Sequence, residues 1–229
     1  MEFKVGHLYH IYNQGNNRRK VFFVRDNYLF FLNKIKQHLL PYADILAWCL
    51  MPNHFHIMVY VNHVSLSVPI TDGVNTDGVT PSHPESHESP SATDPSFIDG
   101  VTPSHPVNRE RTLNESIGIM LRSYTRAMNK RYNRSGALFR EETKAICLTK
   151  NDKLSAAWFT SLGVTNLNVD SLESQYPNQC FRYILSNPLR AGLVKSAIDW
   201  EFSSYLDFVG QRDGQLISSE RIKEFGLTL

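Results

Sequence analysis

The segment that most constrains the fold of this chain is ADILAWCLMPNHFHIMVYV, residues 43–61. It contains two apolar runs, 43–51 and 54–61, which are separated only by Pro52 and Asn53. Apolar runs of this length that are joined by a Pro-Asn turn are typical of a buried β-hairpin. The sequence therefore predicts two neighbouring antiparallel strands here.

The elements on either side of this hairpin predict an α+β fold. Asp26 can cap a helix that runs to about residue 40, and Thr112 with Glu115 forms a T-x-x-E capping box for a helix that runs to about residue 132. The remaining predicted elements are a strand over 7–14, a strand over 143–149 and a helix over 178–187. The order β-α-β-β-α-β is that of the ferredoxin-like (split βαβ) fold. We expect an antiparallel four-stranded sheet with helices on one face, followed by a C-terminal helix.

Two segments fall outside this pattern. Residues 64–108 are rich in Ser, Pro and Asp and contain DGVTPSHP twice, which predicts an inserted, mobile repeat loop. Its histidines are more typical of a solvated repeat than of a metal site. Residues 150–176 are predicted as mostly loop, with a possible helix near KLSAAWFTSL. We otherwise expect a single domain over 1–229, with 195–229 as a C-terminal tail.

The distribution of charge favours a polyanionic partner. The chain has 24 basic and 22 acidic residues, but six of the acidic residues and no Lys or Arg lie in 61–108, so the remainder carries 24 against 16, a net charge of +8. Cys49, Cys147 and Cys180 lie in apolar surroundings and are expected to be reduced. No segment is apolar enough to span a bilayer. We therefore expect a cytoplasmic protein whose partner is nucleic acid.

His54 and His56 lie two residues apart in the second strand of the hairpin. Side chains alternate along a strand, so both imidazoles project from one face. A lone histidine there would be a hydrogen-bonded sheet residue, but a pair at this spacing favours a metal site. Without a cysteine cluster or an HExxH helix, Mg or Mn bound together with a phosphate oxygen is favoured over Zn. That preference indicates phosphoryl chemistry.

Tyr183 and Asn187 lie one turn apart on one face of the predicted C-terminal helix, in RYILSNPLRAGLV. The Asn187 amide could complete a metal site while the Tyr183 phenol attacks a phosphate. Because the chain has ten tyrosines, an ordinary helix aromatic is the default interpretation of Tyr183 taken alone.

Four segments together resemble a known family: AWCLMPNHFHIMV, LRSYTRAMNKRYNRSGALFRE, RYILSNPLRAGLV and DWEFSSYLDF, in this order. They look like the single-tyrosine HUH transposases, in the branch of the REP-associated tyrosine transposases. The resemblance covers most of the chain outside 64–108 and 150–176. The histidine motif alone is only moderately specific, whereas its combination with the other segments is strong.

The resemblance implies a ferredoxin-like core that nicks single-stranded DNA, at hairpin-bearing repeats or element ends, and transfers the strand. It implies that His54, His56 and Asn187 bind Mg or Mn and that Tyr183 forms a 5′-phosphotyrosine intermediate, which a 3′-hydroxyl later resolves. Tyr124 and Tyr132 are weaker nucleophile candidates, because neither is followed by a ligand four residues later. The resemblance also implies association with the bacterial nucleoid, and it is compatible with a monomer or a homodimer.

A basic segment with interleaved aromatic residues predicts the DNA contacts. Basic side chains neutralise phosphates, and aromatic rings such as Tyr132 and Phe139 could stack on unpaired bases. The solvated face of an amphipathic helix is the alternative for the residues on the helix itself. The predicted DNA-binding residues are Arg18, Arg19, Arg126, Arg131, Arg134 and Arg140.

Two alternatives to the transposase remain at this stage. A domesticated or inactive member would bind DNA, with hairpin or sequence specificity, without cutting it, and the acidic insertion beside the histidine strand leaves that open. A rolling-circle nicking enzyme shares the chemistry but usually has a helicase region, which a chain of this length cannot contain.

Overall fold

The computed structural model of the protein describes residues 1–69, 108–149, 157–160, 163–166 and 176–229. The strands within these ranges are β1 (Leu8–Gln14), β2 (Ala43–Met51), β3 (His54–Val61), β4 (Ser65–Pro69), β5 (Asn108–Thr112), β6 (Lys144–Cys147), β7 (Ala157–Thr160) and β8 (Gly163–Asn166). The α-helices are α1 (Arg25–His38), α2 (Leu113–Arg131), α3 (Tyr176–Arg190), α4 (Tyr205–Phe208) and α5 (Ser219–Glu224).

Four of the strands form one antiparallel sheet in the order β2-β3-β1-β6. The predicted hairpin is confirmed, with β2 and β3 ending and starting where the apolar runs do. The two strands that flank α1 in the chain, β1 and β2, are separated in the sheet by β3, which is the split βαβ connection. The predicted α+β fold class is therefore confirmed.

Each face of the sheet is covered by a different set of helices. Phe55 and Ile57 of β3 belong to one core cluster, together with Phe31 of α1 and Tyr124 of α2. Met58, one residue along β3, belongs to a second cluster with apolar side chains of α3. Since neighbouring side chains in a strand point to opposite faces, α1 and α2 cover one face and α3 covers the other. The histidines of β3 lie on the α3 face.

The helix starts agree with the sequence only in part. The Thr112–Glu115 capping box of α2 is confirmed: the Thr112 Oγ1 accepts from the Glu115 amide at 3.2 Å, and the Glu115 carboxylate accepts from the Thr112 amide at 2.7 Å. The prediction that Asp26 caps α1 is wrong, because Val24 is the N-cap and Asp26 lies in the first turn. A carboxylate there still faces the positive end of the helix dipole. The helix ends at His38, two residues earlier than predicted.

The predicted insertion is shorter than 64–108, because its two ends are ordered as strands. β4 and β5 pair from Ser65 opposite Thr112 to Pro69 opposite Asn108. The remainder of the predicted mobile loop lies outside the described residues. The possible helix near KLSAAWFTSL is wrong over 157–160, which is strand β7 and pairs with β8.

The predicted C-terminal tail is packed against the outer edge of β2. The Phe202 carbonyl accepts from the Leu50 amide at 2.8 Å, and the Ser204 amide donates to the Trp48 carbonyl at 2.9 Å. The Phe202 ring stacks on Tyr28 of α1 with centroids 3.8 Å apart. The WEFSSY segment therefore protects an edge that would otherwise expose unpaired backbone groups.

Among the described residues, no helix combines the length and the apolar character needed to span a membrane. The three cysteines are free, as predicted; Cys49 and Cys180 are buried and Cys147 is partly exposed.

Candidate active site

Two histidine rings project from the start of β3 toward α3. His54 and His56 are 1% and 0% exposed, and their ring centroids lie 4.9 Å apart with the planes nearly perpendicular. The alternation of β3 puts them on one face, as the sequence predicted. The aromatic residue between them, Phe55, points into the opposite core.

Tyr183 and Asn187 reach this pair of histidines from α3. The Tyr183 ring meets the His56 ring edge to face, with centroids 5.4 Å apart. The Asn187 side chain interacts with both the His54 ring and the Tyr183 phenol. Tyr183 and Asn187 are each 3% exposed. The structure therefore brings all four side chains into one closed cluster between β3 and α3.

Burial favours the uncharged form of His54 and of the neighbouring His10. It lowers the pKa of His54 to about 4, against a smaller opposing effect from hydrogen bonding with Asn187. Burial also lowers the pKa of His10, whose ring contacts His56, well below its usual range. Neutral imidazoles retain the lone pair that a metal ligand needs.

The Tyr183 phenol is under opposing influences. Burial raises its pKa, because the phenolate would lose solvation, whereas the hydrogen bond with Asn187 and the charge of Arg190 lower it. The Arg190 guanidinium lies 5.6 Å from the centroid of the Tyr183 ring. Arg190 is exposed at the end of α3, so it can meet an anionic substrate at the same helix end.

The donor atoms present fit a divalent metal ion held by two imidazoles and an amide. The Nε2 atom of His54 is buried and has no hydrogen bond of regular geometry among the described residues. Buried polar nitrogens normally have a hydrogen-bond partner, and a bound ion would supply one to the His54 Nε2. The described part of the chain contains no cluster of three or more His, Cys, Asp or Glu side chains suited to a metal. Such an ion would thus need further ligands from a substrate or water.

Some of the predicted DNA-binding residues lie at the end of the sheet where His54 begins β3. In the 15–20 loop, the Gly15 amide donates to the Asn53 carbonyl in the turn before β3, and the Asn16 amide donates to the Leu138 carbonyl. Arg140 joins the same region, because its amide donates to the Gln14 carbonyl at 2.9 Å. We define this region as the basic end of the molecule; its exposed or partly exposed arginines are Arg18, Arg19, Arg134 and Arg140.

The other predicted contacts are placed differently. Arg126 is exposed on α2, on the face of the sheet opposite to Tyr183. Arg131 forms an ion pair with Asp26 at 3.7 Å. Phe139 is 5% exposed and packs in the α1–α2 core, so the prediction that it stacks on bases is wrong. The Tyr132 hydroxyl donates to the Asn27 side chain at 3.0 Å, so it forms a hydrogen bond between the end of α2 and the start of α1.

Sequence reasoning missed three residues that contact the cluster. His10 lies beside His56, Asn53 bonds His54, and Arg190 lies over Tyr183. His10 could have been found as a histidine between the apolar and aromatic residues at the start of the first strand, and Arg190 as the residue two turns after Tyr183 on one helix. No local signal distinguishes Asn53 from an ordinary turn asparagine.

Comparisons with known proteins give one structural similarity. No protein-family model matches the chain, and no curated protein matches it. A solved structure of a REP-associated tyrosine transposase bound to a REP hairpin superposes with a TM-score of 0.49 and 13% sequence identity, over 96% of this chain and 93% of the other. An identity and a TM-score this low do not assign the chain to a family.

Proposed function

We propose that the protein is a metal-dependent transposase-type endonuclease that cleaves and rejoins single-stranded DNA. The supporting observation is the convergence of His54, His56, Tyr183 and Asn187 in one cluster between β3 and α3. The histidine pair and the Tyr183–Asn187 pair lie more than a hundred positions apart in the chain, and all four side chains are buried. A nucleophile beside metal-binding groups is suited to metal-assisted phosphodiester cleavage.

In the proposed reaction the Tyr183 oxygen attacks the phosphorus of a phosphodiester. A bond from phosphorus to the tyrosine oxygen forms while the bond from phosphorus to the 3′ oxygen breaks. The phenol loses its proton, and the departing oxygen gains one to give a free 3′-hydroxyl. The phosphate stays on the downstream 5′ oxygen as a phosphotyrosine diester. Attack by a second 3′-hydroxyl reverses these steps and joins strands without a further energy source.

His54, His56 and Asn187 would hold the metal ion, which we propose to be Mn or Mg. When bound, the ion supplies Lewis-acid stabilisation of the negative charge on the phosphate oxygens. The two imidazoles favour Mn, because Mg prefers a shell made entirely of oxygen ligands. Asn187 and Arg190 act on the phenol itself, since both lower the pKa of Tyr183 and so favour the nucleophilic phenolate.

The substrate would bind across the basic end of the molecule. Arg18 and Arg19 lie on the loop that packs beside Asn53, next to the first metal-binding histidine. Positive side chains there can neutralise the phosphates that flank the scissile bond. We propose a hairpin-bearing strand as substrate because of the sequence resemblance, with the protein acting at the nucleoid as a monomer or homodimer. Since Tyr183 is 3% exposed, α3 would have to shift to admit the phosphate.

The experiment uses a single-stranded oligonucleotide that carries a hairpin, labelled at either its 3′ or its 5′ end, with Mn or Mg. We expect the 3′ label to move with the protein on a denaturing gel, and the 5′ label to appear in a shorter strand that a terminal transferase can extend. The variant Tyr183→Phe should form no adduct. Tyr132→Phe is the matched control, because it removes a phenol outside the cluster, and it should form the adduct normally.

A DNA-binding protein without cleavage activity is the second candidate, and the burial of Tyr183 favours it. The same experiment separates the two functions. A hairpin that is bound by the wild type with either metal, without any adduct, supports the binding-only function. An adduct that persists in Tyr183→Phe would contradict the nucleophile that we propose.

A further inference from the structure

The two histidines of the cluster are each held at Nδ1 by a polar neighbour. The His54 Nδ1 lies 2.6 Å from the Asn53 Oδ1, and the Asn53 Nδ2 donates to the Arg18 carbonyl at 3.3 Å. The second hydrogen bond fixes the orientation of the amide, since only its nitrogen can donate to a carbonyl. The oxygen therefore faces His54, and the proton on that contact has to lie on the His54 Nδ1. A neutral His54 then carries a lone pair on Nε2.

His56 is held in a corresponding way by another histidine. The His10 Nε2 lies 2.9 Å from the His56 Nδ1, and both residues are fully buried. The two rings stack at 5.0 Å between centroids with planes 20° apart, and His10 also stacks on Tyr12 at 4.8 Å. Between two neutral imidazoles this contact contains one proton, which belongs to one ring or the other. Its position decides which nitrogen of His56 bears the lone pair.

We propose that Asn53 and His10 are positioning residues that set the tautomers of His54 and His56, so that both Nε2 atoms bear the lone pairs that bind the metal. This inference rests on the proposed function, and it adds residues outside the four of the cluster. In it, His10 accepts from the His56 Nδ1, as Asn53 accepts from the His54 Nδ1. Neighbours that hold the second nitrogen of a metal-binding histidine fix its orientation and raise its affinity for the ion.

The arrangement also connects the metal-binding strand to the basic end. The side-chain Nδ2 of Asn53 donates to the Arg18 carbonyl, and the backbone carbonyl of Asn53 accepts from the Gly15 amide at 2.8 Å. Arg18 and its neighbour Asn17 have positive φ values of 59° and 52°, so this loop adopts a backbone that few side chains favour. The loop that is proposed to bind phosphates thus presents the carbonyl that orients Asn53.

The first test reads the tautomers directly in the metal-free protein. Histidine labelled with ¹⁵N gives long-range proton–nitrogen spectra in which the two tautomers have distinct patterns, and the rings are assigned by single His→Asn variants. At pH 7.5 we expect His10, His54 and His56 all to carry the proton on Nδ1. Finding the proton of His56 on Nε2 would overturn the proposal for His10, and the same finding for His54 would overturn it for Asn53.

The second test measures Mn binding by titration calorimetry. His10→Phe keeps an aromatic ring for the stack but has no acceptor, and Asn53→Ala removes the other acceptor; each should weaken Mn binding about 10- to 100-fold. His10→Gln and Asn53→Asp retain an acceptor oxygen, and both should recover most of the affinity. The control His7→Phe removes a partly exposed ring outside the cluster that bonds Thr149, and it should bind Mn like the wild type.

The outcomes separate this inference from the proposed function. Tautomers as expected, without any adduct on the hairpin strand, would contradict the cleavage function and leave the positioning of the rings supported. An adduct from the wild type, combined with unchanged Mn affinity in His10→Phe and Asn53→Ala, would contradict the positioning residues alone. If His10→Phe does not fold, the wild-type tautomers and the His10→Gln titration still decide the question.

Discussion

Asn187 interacts with both chemical parts of the candidate site: with the metal-binding group His54 and with the nucleophile candidate Tyr183. Its side chain acts to raise the pKa of His54 and to lower the pKa of Tyr183. One amide achieves both when its nitrogen donates to the phenol oxygen and its oxygen faces the imidazole. The same orientation presents the amide oxygen to an ion held by His54.

We therefore expect Asn187→Ala to slow formation of the covalent adduct by at least about tenfold, since metal binding and phenolate formation both weaken. The rate can be measured from single-turnover time courses with the labelled hairpin strand. Asn178→Ala is the matched control, because Asn178 lies on the same helix but bonds Thr228 in the C-terminal segment. Equal rates for the two variants would show that Asn187 has no part in the reaction.

Burial of His10 and His54 has a consequence for stability. Both side chains are uncharged in the folded protein at neutral pH, and the pKa of His54 is lowered to about 4. An unfolded chain takes up protons on these rings below about pH 6.5. The unfolded state therefore binds more protons than the folded state between pH 6.5 and 4, and stability falls as the pH falls through this range.

For the metal-free protein we expect the free energy of unfolding to decrease by about 2 kcal/mol for His54 alone between pH 7.5 and pH 5. Urea denaturation with a chelator present, at several pH values in this range, measures the loss. His54→Asn should show a smaller decrease than the wild type. An equal decrease in both proteins would mean that His54 is not buried as an uncharged ring.

At the scale of the elements, the C-terminal segment completes the sheet. Ser204 bonds Trp48 of β2 three times: its amide donates to the carbonyl at 2.9 Å, its hydroxyl accepts from the Trp48 amide at 2.9 Å, and the same hydroxyl contacts the carbonyl at 3.2 Å. Ser204 is 1% exposed, so water cannot replace these bonds. The segment thus supports β2, which in turn flanks the histidine strand β3.

We expect Ser204→Ala to lower the free energy of unfolding by about 1–3 kcal/mol, because the buried Trp48 amide loses its acceptor. Chemical denaturation at pH 7.5 measures the change. Ser219→Ala, at the exposed start of α5, is a control that should change the stability little. A negligible effect of Ser204→Ala would show that the C-terminal segment is not an essential part of the sheet.

At the scale of the whole molecule, the charge is divided between distant parts of the chain. The basic end gathers arginines from the 15–20 loop and from the segment after α2, because both pack at the end of the sheet where β3 begins. Six acidic residues lie in 70–107, outside the described residues, and reduce the net charge to +2. Each part of this division can be tested by DNA affinity.

The double variant Arg18→Gln with Arg19→Gln should bind single-stranded DNA more weakly and with a lower salt dependence. For single strands the slope of log K against log salt changes by about 0.7 for each phosphate contact that is lost. Fluorescence anisotropy at several salt concentrations measures the slope. The control removes the same charge elsewhere, with Lys36→Gln and Lys223→Gln on exposed positions of α1 and α5. Identical slopes in both double variants would exclude a local role for Arg18 and Arg19.

Residues 70–107 can be replaced by a two-residue Asn-Gly turn, since Pro69 and Asn108 are already partners in the β4–β5 ladder. The shortened chain has 24 basic and 16 acidic residues, a net charge of +8 instead of +2. We expect it to fold and to bind single-stranded DNA more tightly at low salt. An unchanged affinity would indicate that the acidic segment does not act on the bound DNA.

The sequence predicted those features that depend on residues close to one another in the chain. The hairpin at 43–61, the shared face of His54 and His56, and the Thr112 capping box follow from strand alternation and from local hydrogen bonds, and the structure has them as expected. The cap of α1 was predicted wrongly, because an acidic residue is favoured in the first turn as well as at the N-cap, and Asp26 lies in the first turn, two residues after the cap. The helix that was predicted near KLSAAWFTSL is wrong over 157–160, because short apolar runs are compatible with a strand as well as with a helix.

The residues that meet the two histidines depend on the tertiary structure; the family resemblance implied Tyr183 and Asn187, but the local sequence pattern did not. Local periodicity orients a side chain relative to its own strand or helix, but it does not say which element packs on that face. Packing of α3 on the free face of the sheet brings Tyr183 and Asn187 to His54 and His56, and the register of β1 beside β3 brings His10 to His56. These contacts join residues far apart in the chain, so they depend on how the whole core is filled.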